Sequence, residues 1–217
     1  MQFDPYALIA IALFGALLPF AAILATAYTK IVIVIFLLRQ AMGLQNVPPN
    51  MVVNAMALVL TAFIMAPIGM QGWDTAKSQG SFQKDQLKFT DMVTVFDSMT
   101  PALKAFLSKK ASERDRRFFM KAATELWPKE RVAKLSIDDL PILIPAFTVS
   151  ELTEAFQIGF VLYLIFLVID LIVANVLLAM GMAMISPTVI STPFKLLLFV
   201  MLDGWQRLIQ SLVMSYR

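Results

Sequence analysis

Five charged side chains lie in or beside long apolar stretches of the sequence, where a charge is costly. An unpaired charge at the centre of a bilayer costs about 2.5–3.5 kcal/mol or more, so each one should meet water, protein or an opposite charge. Lys195 and Arg207 are the cations between residues 141 and 216, and we predict that Lys195 pairs with Glu151 on the preceding helix. The five residues are Glu151, Glu154, Asp170, Lys195 and Asp203.

Such an ion pair has two interpretations. It is either a buried or inter-subunit contact that fixes the register of two helices, or one part of a proton or ion relay. A relay usually needs a chain of titratable groups, and the sequence contains no histidine. The structural interpretation is therefore favoured.

The residue types argue against an enzyme. The chain has no cysteine and no histidine, so the commonest general base and the commonest metal ligand are both missing. One continuous helix would place Glu151 and Asp170 about 28 Å apart along its axis, which excludes a catalytic carboxylate pair on that helix. No HExxH pattern and no pairing of a serine nucleophile with a base is found. We predict no catalytic, metal-binding or cofactor-binding residues.

A methionine-rich segment at residues 180–187 separates the last two apolar stretches. It reads Met-Gly-Met-Ala-Met-Ile-Ser-Pro, with methionines at alternate positions. Methionine is unbranched and adaptable, so a ring of such side chains from several subunits could close around irregular cargo. Clusters of methionine in apolar sequence are more often core filler, and the residues alone leave both interpretations open.

The elements that must position these residues follow from composition. Of the 217 residues 59% are hydrophobic, and the mean hydropathy is +0.75, whereas soluble domains are about 45–50% apolar. Residues 71–140 hold 13 of the 18 Lys and Arg and 10 of the 15 Asp and Glu. We predict an all-α protein in which an apolar helical hairpin (1–70) and long apolar helices (141–217) flank a small polar helical insert (71–140).

The apolar stretches have the length of membrane helices. Residues 6–27 form a helix or a signal peptide, and the lack of a preceding Lys or Arg favours an uncleaved helix. Residues 31–38 are too few to span a bilayer, and 51–70 are enough. Residues 146–185 would be about 60 Å long as one helix, so this tract should kink, tilt or leave the bilayer.

The polar insert is predicted to contain two helical segments. Residues 91–107 are expected to be broken at Pro101. Residues 112–127 begin with Ser112 and Asp115, which is a weak capping arrangement. Basic residues near its start could suggest binding to nucleic acid or anionic lipid, but interleaved acids favour a solvated helix face.

Three segments of both apolar blocks resemble the SctR/FliP family, a core membrane component of the type III secretion export gate. They contain, in this order, the sequences GLQNVPPN, SELTEAFQIGF and PFKLLLFV followed by DGW. The combination is highly specific, and the polar insert resembles the family only in position and size. The missing basic leader is more similar to the injectisome branch, which serves virulence, than to the flagellar branch.

The resemblance implies an assembly that composition does not reveal. Such subunits form a pseudo-helical ring of five copies with four SctS-type subunits and one SctT-type subunit, next to an SctU-type subunit and the basal-body rings. The complex sits in the bacterial inner membrane and partly on the periplasmic side, which the polar insert faces. Unfolded proteins pass through the central pore.

The alternative function is that of a subunit of a proton- or ion-coupled membrane transporter.

The resemblance also assigns roles to residues. Met182, Ala183 and Met184 fall on the methionine gasket that closes the channel, and Met180 is expected to contribute because Ala183 departs from the three-methionine form. Glu151 and Lys195 fall on positions that bridge neighbouring subunits. Asp170 matches a further buried acidic position.

Overall fold

A computed structural model of the chain describes residues 23–78, 89–182 and 184–217. Within these ranges every regular element is a helix, which confirms the all-helical expectation. Of the predicted apolar segment 6–27, residues 6–22 lie outside the described part. The helices are α1 (Tyr28–Ala41), α2 (Asn50–Ser78), α3 (Phe89–Lys110), α4 (Glu113–Leu126), α5 (Lys129–Val132), α6 (Leu140–Ala179), α7 (Pro187–Met201) and α8 (Gly204–Met214).

Two of these helices are long and apolar enough to cross a membrane. They cover Asn50–Thr75, with 26 residues, and Leu140–Ala179, with 40 residues. Helices α7 and α8 meet at a 63° bend and make a third candidate if the bent pair counts as one span. In the most apolar windows of α2 and α6, only 22% and 11% of the residues are buried. Most of this apolar surface is therefore left for lipid or for other protein chains to cover.

The chain divides into two packing units. One comprises Met1–Thr29 and Met65–Glu151, and the other comprises Lys30–Ile64 and Leu152–Arg217. We refer to them as unit 1 and unit 2. The boundaries predicted after residues 70 and 140 mark changes of composition, and as domain boundaries they stay a prediction.

Unit 1 has its own apolar core where α3, α4 and the start of α6 meet. The buried members are Leu107, Ala111, Leu143, Ala146 and Phe147. The ring of Phe106 lies 5.6 Å from that of Phe147, in a tilted arrangement. Helix α4 begins as predicted, because the Ser112 hydroxyl accepts a hydrogen bond from the backbone N–H of Asp115.

The predicted break at Pro101 is wrong. Helix α3 continues through this proline to Lys110. Proline removes one backbone hydrogen bond and crowds the preceding turn. The turns that follow it bury Leu107 completely and pack Leu103 and Phe106 against the core, and this burial outweighs the loss.

Two ion pairs hold the polar edge of unit 1, just before α6. Lys104 Nζ lies 2.8 Å from Asp139 Oδ1, and Arg116 Nη1 lies 2.9 Å from Asp138 Oδ1. The hydrogen bond from Lys104, helped by the backbone N–H of Ser136, lowers the pKa of Asp139 below its ordinary value of 3.8. The start of the long apolar helix is thus fixed by charges outside the candidate span.

Unit 2 is built around α1, which is buried along one side despite its shortness. Ile31, Val34, Ile35 and Leu38 are fully buried. At Gly159 on α6, an added Cβ would lie 2.2 Å from Leu37 Cδ1, so the missing side chain lets α1 and α6 approach closely. The 31–38 run, too short to span a bilayer, is therefore a core helix of unit 2.

Helices α1 and α6 end in the same way. Gly43 and Gly181 have φ values of +78° and +72°. In both cases the glycine N–H donates a hydrogen bond to the carbonyl three residues earlier. The N–H of the next residue donates to the carbonyl five residues earlier. These are the two hydrogen bonds of the Schellman motif, which needs a left-handed residue at this point. Helix α6 therefore stops before the methionine-rich segment, which the structure places between α6 and α7.

Candidate functional site

Lys195 on α7 forms an ion pair with Asp170 in the middle of the apolar helix α6. Its Nζ lies 2.7 Å from Asp170 Oδ2 and donates a 3.1 Å hydrogen bond to the carbonyl of Ala41. The hydroxyl of Ser191 donates to Asp170 Oδ1. Lys195 and Ser191 are buried, and 26% of the Asp170 side chain is exposed. Both carboxylate oxygens are thus bonded, as a charge in an apolar helix requires.

This cluster joins three helices of unit 2 at one point. Asp170 belongs to α6, Ser191 and Lys195 belong to α7, and Ala41 is the last residue of α1. A cation at a helix C-terminus also interacts favourably with the helix dipole. The Ser191 hydroxyl has no exposed surface, so it cannot act as a nucleophile on an external substrate. The arrangement is one that fixes the register of the helices.

The same contacts give the direction of the α6–α7 hairpin. Asp170 contacts Ser191 and Lys195, whereas Phe166 lies against Phe199, with ring centroids 6.4 Å apart. Residues with lower numbers on α6 therefore contact residues with higher numbers on α7, so the two helices are antiparallel. The methionine-rich segment lies at the tip of this hairpin.

A second buried cation, Lys30, lies at the start of α1. Its side chain is 0% exposed, and its Nζ lies 2.6 Å from Glu154 Oε2 on α6. The ammonium also lies 4.4 Å from the ring centroid of Tyr216, the penultimate residue of the chain. Half of the Glu154 side chain is exposed. Lys30 thus joins the first helix of unit 2 to its central helix and to the end of the chain.

Glu151 is also completely buried. It lies in the part of α6 that belongs to unit 1, whereas Lys195 belongs to unit 2. Inside the chain, the ion-pair partner of Lys195 is Asp170. Within the chain, Lys195 therefore pairs with Asp170 and not, as the sequence had predicted, with Glu151 on the preceding helix. The bridge between neighbouring copies, which the family resemblance implies, stays a prediction.

The methionine side chains at the hairpin tip are exposed. The relative exposure is 66% for Met180, 38% for Met182 and 100% for Met184. Ala183 lies outside the described residues. An apolar side chain that its own chain leaves in the open is available to meet other copies or cargo. The interpretation as core filler of the single chain does not fit Met184.

The acidic residues described by the structure form no group of three that could hold a metal ion. The carboxylates of Asp170 and Glu154 each contact a lysine ammonium at 2.7 Å or less. Each of these two carboxylates is thus held by a lysine of its own chain.

Two contacts of this site are not predicted from the sequence. In the sequence, Lys30 flanks a short apolar run, and no pattern marks Tyr216. The pair of Lys30 with Glu154 could have been inferred from two observations. Lys30 lies between two apolar stretches, and Glu154 is an acid without a predicted partner. The signal for Asp170 was stronger, because it and Lys195 lie at similar distances from the hairpin turn.

Comparisons with known proteins cover nearly the whole chain. The profile of the FliP family matches residues 11–212. Over 210 residues, the chain is 49% identical to the hypersensitivity response secretion protein HrcR of Ralstonia nicotianae, with 97% of this chain and 96% of that protein aligned.

Two further relatives are similar over their length. The chain is 46% identical over 203 residues to Yop proteins translocation protein R of Yersinia pestis, covering 92% of this chain and 91% of that protein. It is 40% identical over 217 residues to virulence protein YscR of Salmonella typhimurium, covering 98% and 97%.

Proposed function

The chain belongs to the FliP family and is an export-apparatus protein of type III secretion, and from this we propose that several copies of it form the wall of the channel through which unfolded proteins cross the bacterial inner membrane. The family resemblance and the structural, non-enzymatic role are confirmed. The relatives named for secretion, translocation and virulence agree with the injectisome branch.

The exposed methionine segment is the observation that carries this proposal. Met180 and Met184 project from the tip of a helical hairpin whose register is fixed by the Asp170–Lys195 pair. Repeated around a ring, such tips would bring flexible apolar side chains together at the axis. Methionine suits this position because its unbranched side chain adapts to irregular surfaces. Met180, Met182, Ala183 and Met184 form the gasket of the closed channel in this proposal.

The apolar helices support an assembly rather than an isolated chain. Only 11% of the most apolar window of α6 is buried, although the helix is 40 residues long. A hydrocarbon core of about 30 Å needs about 20 helical residues. Part of α6 must therefore find cover outside the bilayer core. Neighbouring copies in a ring would supply it.

The partners follow from the family. We propose five copies with four SctS-type subunits and one SctT-type subunit, beside an SctU-type subunit and inside the basal-body rings. The polar insert, residues 71–140, faces the periplasmic side. Glu151 bridges to Lys195 of a neighbouring copy, and Asp170 becomes more buried on assembly.

The mass of the native complex tests this proposal. The chain is expressed together with its neighbouring genes, purified in mild detergent and measured by native mass spectrometry. We expect one species with five copies of this chain, four SctS-type subunits and one SctT-type subunit. A monomer, or a homo-oligomer that excludes them, would contradict the proposal.

A further inference from the structure

An open groove of about 560 Å³ lies in unit 2 between α6 and the bent pair α7–α8. Small-molecule sites usually measure about 300–1,000 Å³. The lining is apolar except for three side chains, Gln157, Arg207 and Ser211.

The polar side chains gather at one end of this groove. Phe166 and Phe199 mark the other end, where α6 and α7 are in contact. Gln157 precedes Phe166 by nine residues on α6, or about 13 Å. Because the helices are antiparallel, Arg207 and Ser211, which follow Phe199, lie towards the same end as Gln157. The groove is therefore amphipathic along its length.

Arg207 is the charged residue of the lining, and it is exposed. In the described part of the chain its guanidinium makes no ion pair, and the carboxylate of Asp203, one turn earlier, does not pair with it. A guanidinium group offers paired N–H donors that match the oxygens of a phosphate. An exposed, unpaired guanidinium at the polar end of an apolar groove can bind such an anion.

We propose that this groove binds an anionic phospholipid, with one acyl chain between α6 and α7–α8 and the phosphodiester on Arg207. One wall is a candidate membrane span, and the other is a third candidate if the bent pair α7–α8 counts as one span, so an acyl chain suits the apolar part of this groove. A helix from a second copy is the competing occupant and would have to bring a carboxylate to Arg207. The two carboxylates of α6 in unit 2 are already bonded, Glu154 to Lys30 and Asp170 to Lys195, which makes this helix a poor donor of one. The inference rests on these spans and not on the channel.

Lipid binding to the full chain, purified in mild detergent with its co-purifying partners, tests the proposal. After delipidation, phosphatidylglycerol or phosphatidylcholine is added and adducts are counted by native mass spectrometry. We expect phosphatidylglycerol adducts to exceed phosphatidylcholine adducts by about tenfold, as charge-assisted hydrogen bonds predict. Arg207→Gln should remove this preference, and the control Arg114→Gln, at an exposed cation of α4, should keep it.

Two further variants separate the contribution of local charge to lipid binding from the contribution of the apolar groove. Asp203→Asn should keep or increase phosphatidylglycerol binding, because it removes a nearby negative charge and asparagine tolerates the left-handed backbone of this residue, φ 52°. Val161→Trp should fill the groove and reduce the adducts of both lipids. Far-ultraviolet circular dichroism checks that each variant is folded.

The proposal is overturned if Arg207→Gln binds both lipids like the wild type, or if the wild type shows no preference. A photo-crosslinking residue at Leu162, in the groove lining, gives an independent result. Crosslinks to phospholipid would support the proposal. Crosslinks mainly to a second copy of the chain would show that protein fills the groove, and would overturn it.

Discussion

Lys195 Nζ lies 2.7 Å from Asp170 Oδ2, so that these two opposite charges of the α6–α7 hairpin meet inside one chain. The same ammonium bonds the last carbonyl of α1. This single contact sets the register of the hairpin that carries the methionine segment. The positions of Met180 and Met184 at the tip therefore depend on a pair of residues that lies about three turns away.

Replacing one partner of this pair should lower the unfolding free energy more than replacing both. Lys195→Met leaves a carboxylate without its cation, and we expect a loss of about 3 kcal/mol in unfolding free energy, the lower end for buried ion pairs because Asp170 is partly exposed. The double variant Lys195→Met with Asp170→Leu should recover most of this loss. Denaturation in mixed micelles measures both. A double variant as unstable as the single one would contradict this account of the pair.

Asp170→Asn separates a structural role from a proton or ion relay. We expect the variant to weaken assembly of the complex, because asparagine cannot neutralise Lys195. Size-exclusion chromatography of the co-expressed subunits measures assembly, and export of a secreted substrate measures function. A fully assembled complex that has lost only its energy coupling would favour the transporter function instead.

Charge reversal tests the predicted bridge between copies. Lys195→Glu should prevent assembly, and adding Glu151→Lys should partly restore it, since opposite charges would again meet across the boundary. Lys195 uses two of its three N–H donors on Asp170 and Ala41, which leaves one for Glu151. Glu125→Lys, at an exposed acid of α4, is the control, and it should not restore assembly. If Glu151→Lys behaves like this control, direct pairing is excluded.

The end of the chain should contribute to stability through Lys30. Tyr216→Leu removes the aromatic ring beside a fully buried ammonium, and we expect a loss of about 1–2 kcal/mol. Tyr216→Phe keeps the ring and should stay close to the wild type. Tyr163→Leu, at an exposed tyrosine of α6, serves as the control and should have little effect. Equal losses for the leucine and phenylalanine variants would show that the ring is not the relevant group.

Asp139 should make the chain sensitive to acid. Its pKa is lowered on folding, so its stabilising contribution is complete above pH 3.8 and is lost as the pH falls through the folded value. The pair with Lys104 is about one-third exposed, so the effect should stay below about 1 kcal/mol. Asp139→Asn should reduce the loss of stability below pH 4 in a pH series of thermal melts, and Asp74→Asn, at an exposed acid, should not.

The sequence predicted the helical class better than the contacts between helices. Long apolar runs and glycine stops predict helices because both act locally. The partner of Lys195 depends on hairpin register. Asp170 lies 11 residues before Gly181 and Lys195 lies 14 after it, whereas Glu151 lies 30 before it. An antiparallel pairing about that turn brings Asp170 to Lys195 within the chain, so the register of the hairpin decides the partner and charge alone does not.

Other contacts could not be read from local sequence. Lys30 and Glu154 are 124 residues apart, and only the tertiary packing of α1 against α6 brings them together. The continuation of α3 through Pro101 likewise depends on the burial of Leu107, which propensity alone does not contain.

The ion conductance of the assembled gate tests the central claim most directly. Planar bilayer recordings would compare the wild-type complex with Met182→Ala and Met184→Ala, singly and together. The account predicts a closed wild-type gate and a raised ion leak in the variants, greatest in the double one, because smaller side chains leave the axis open. The matched control Met51→Ala, at an exposed methionine of α2, should stay closed. Unchanged conductance in all methionine-segment variants would contradict the claim that this segment closes the channel.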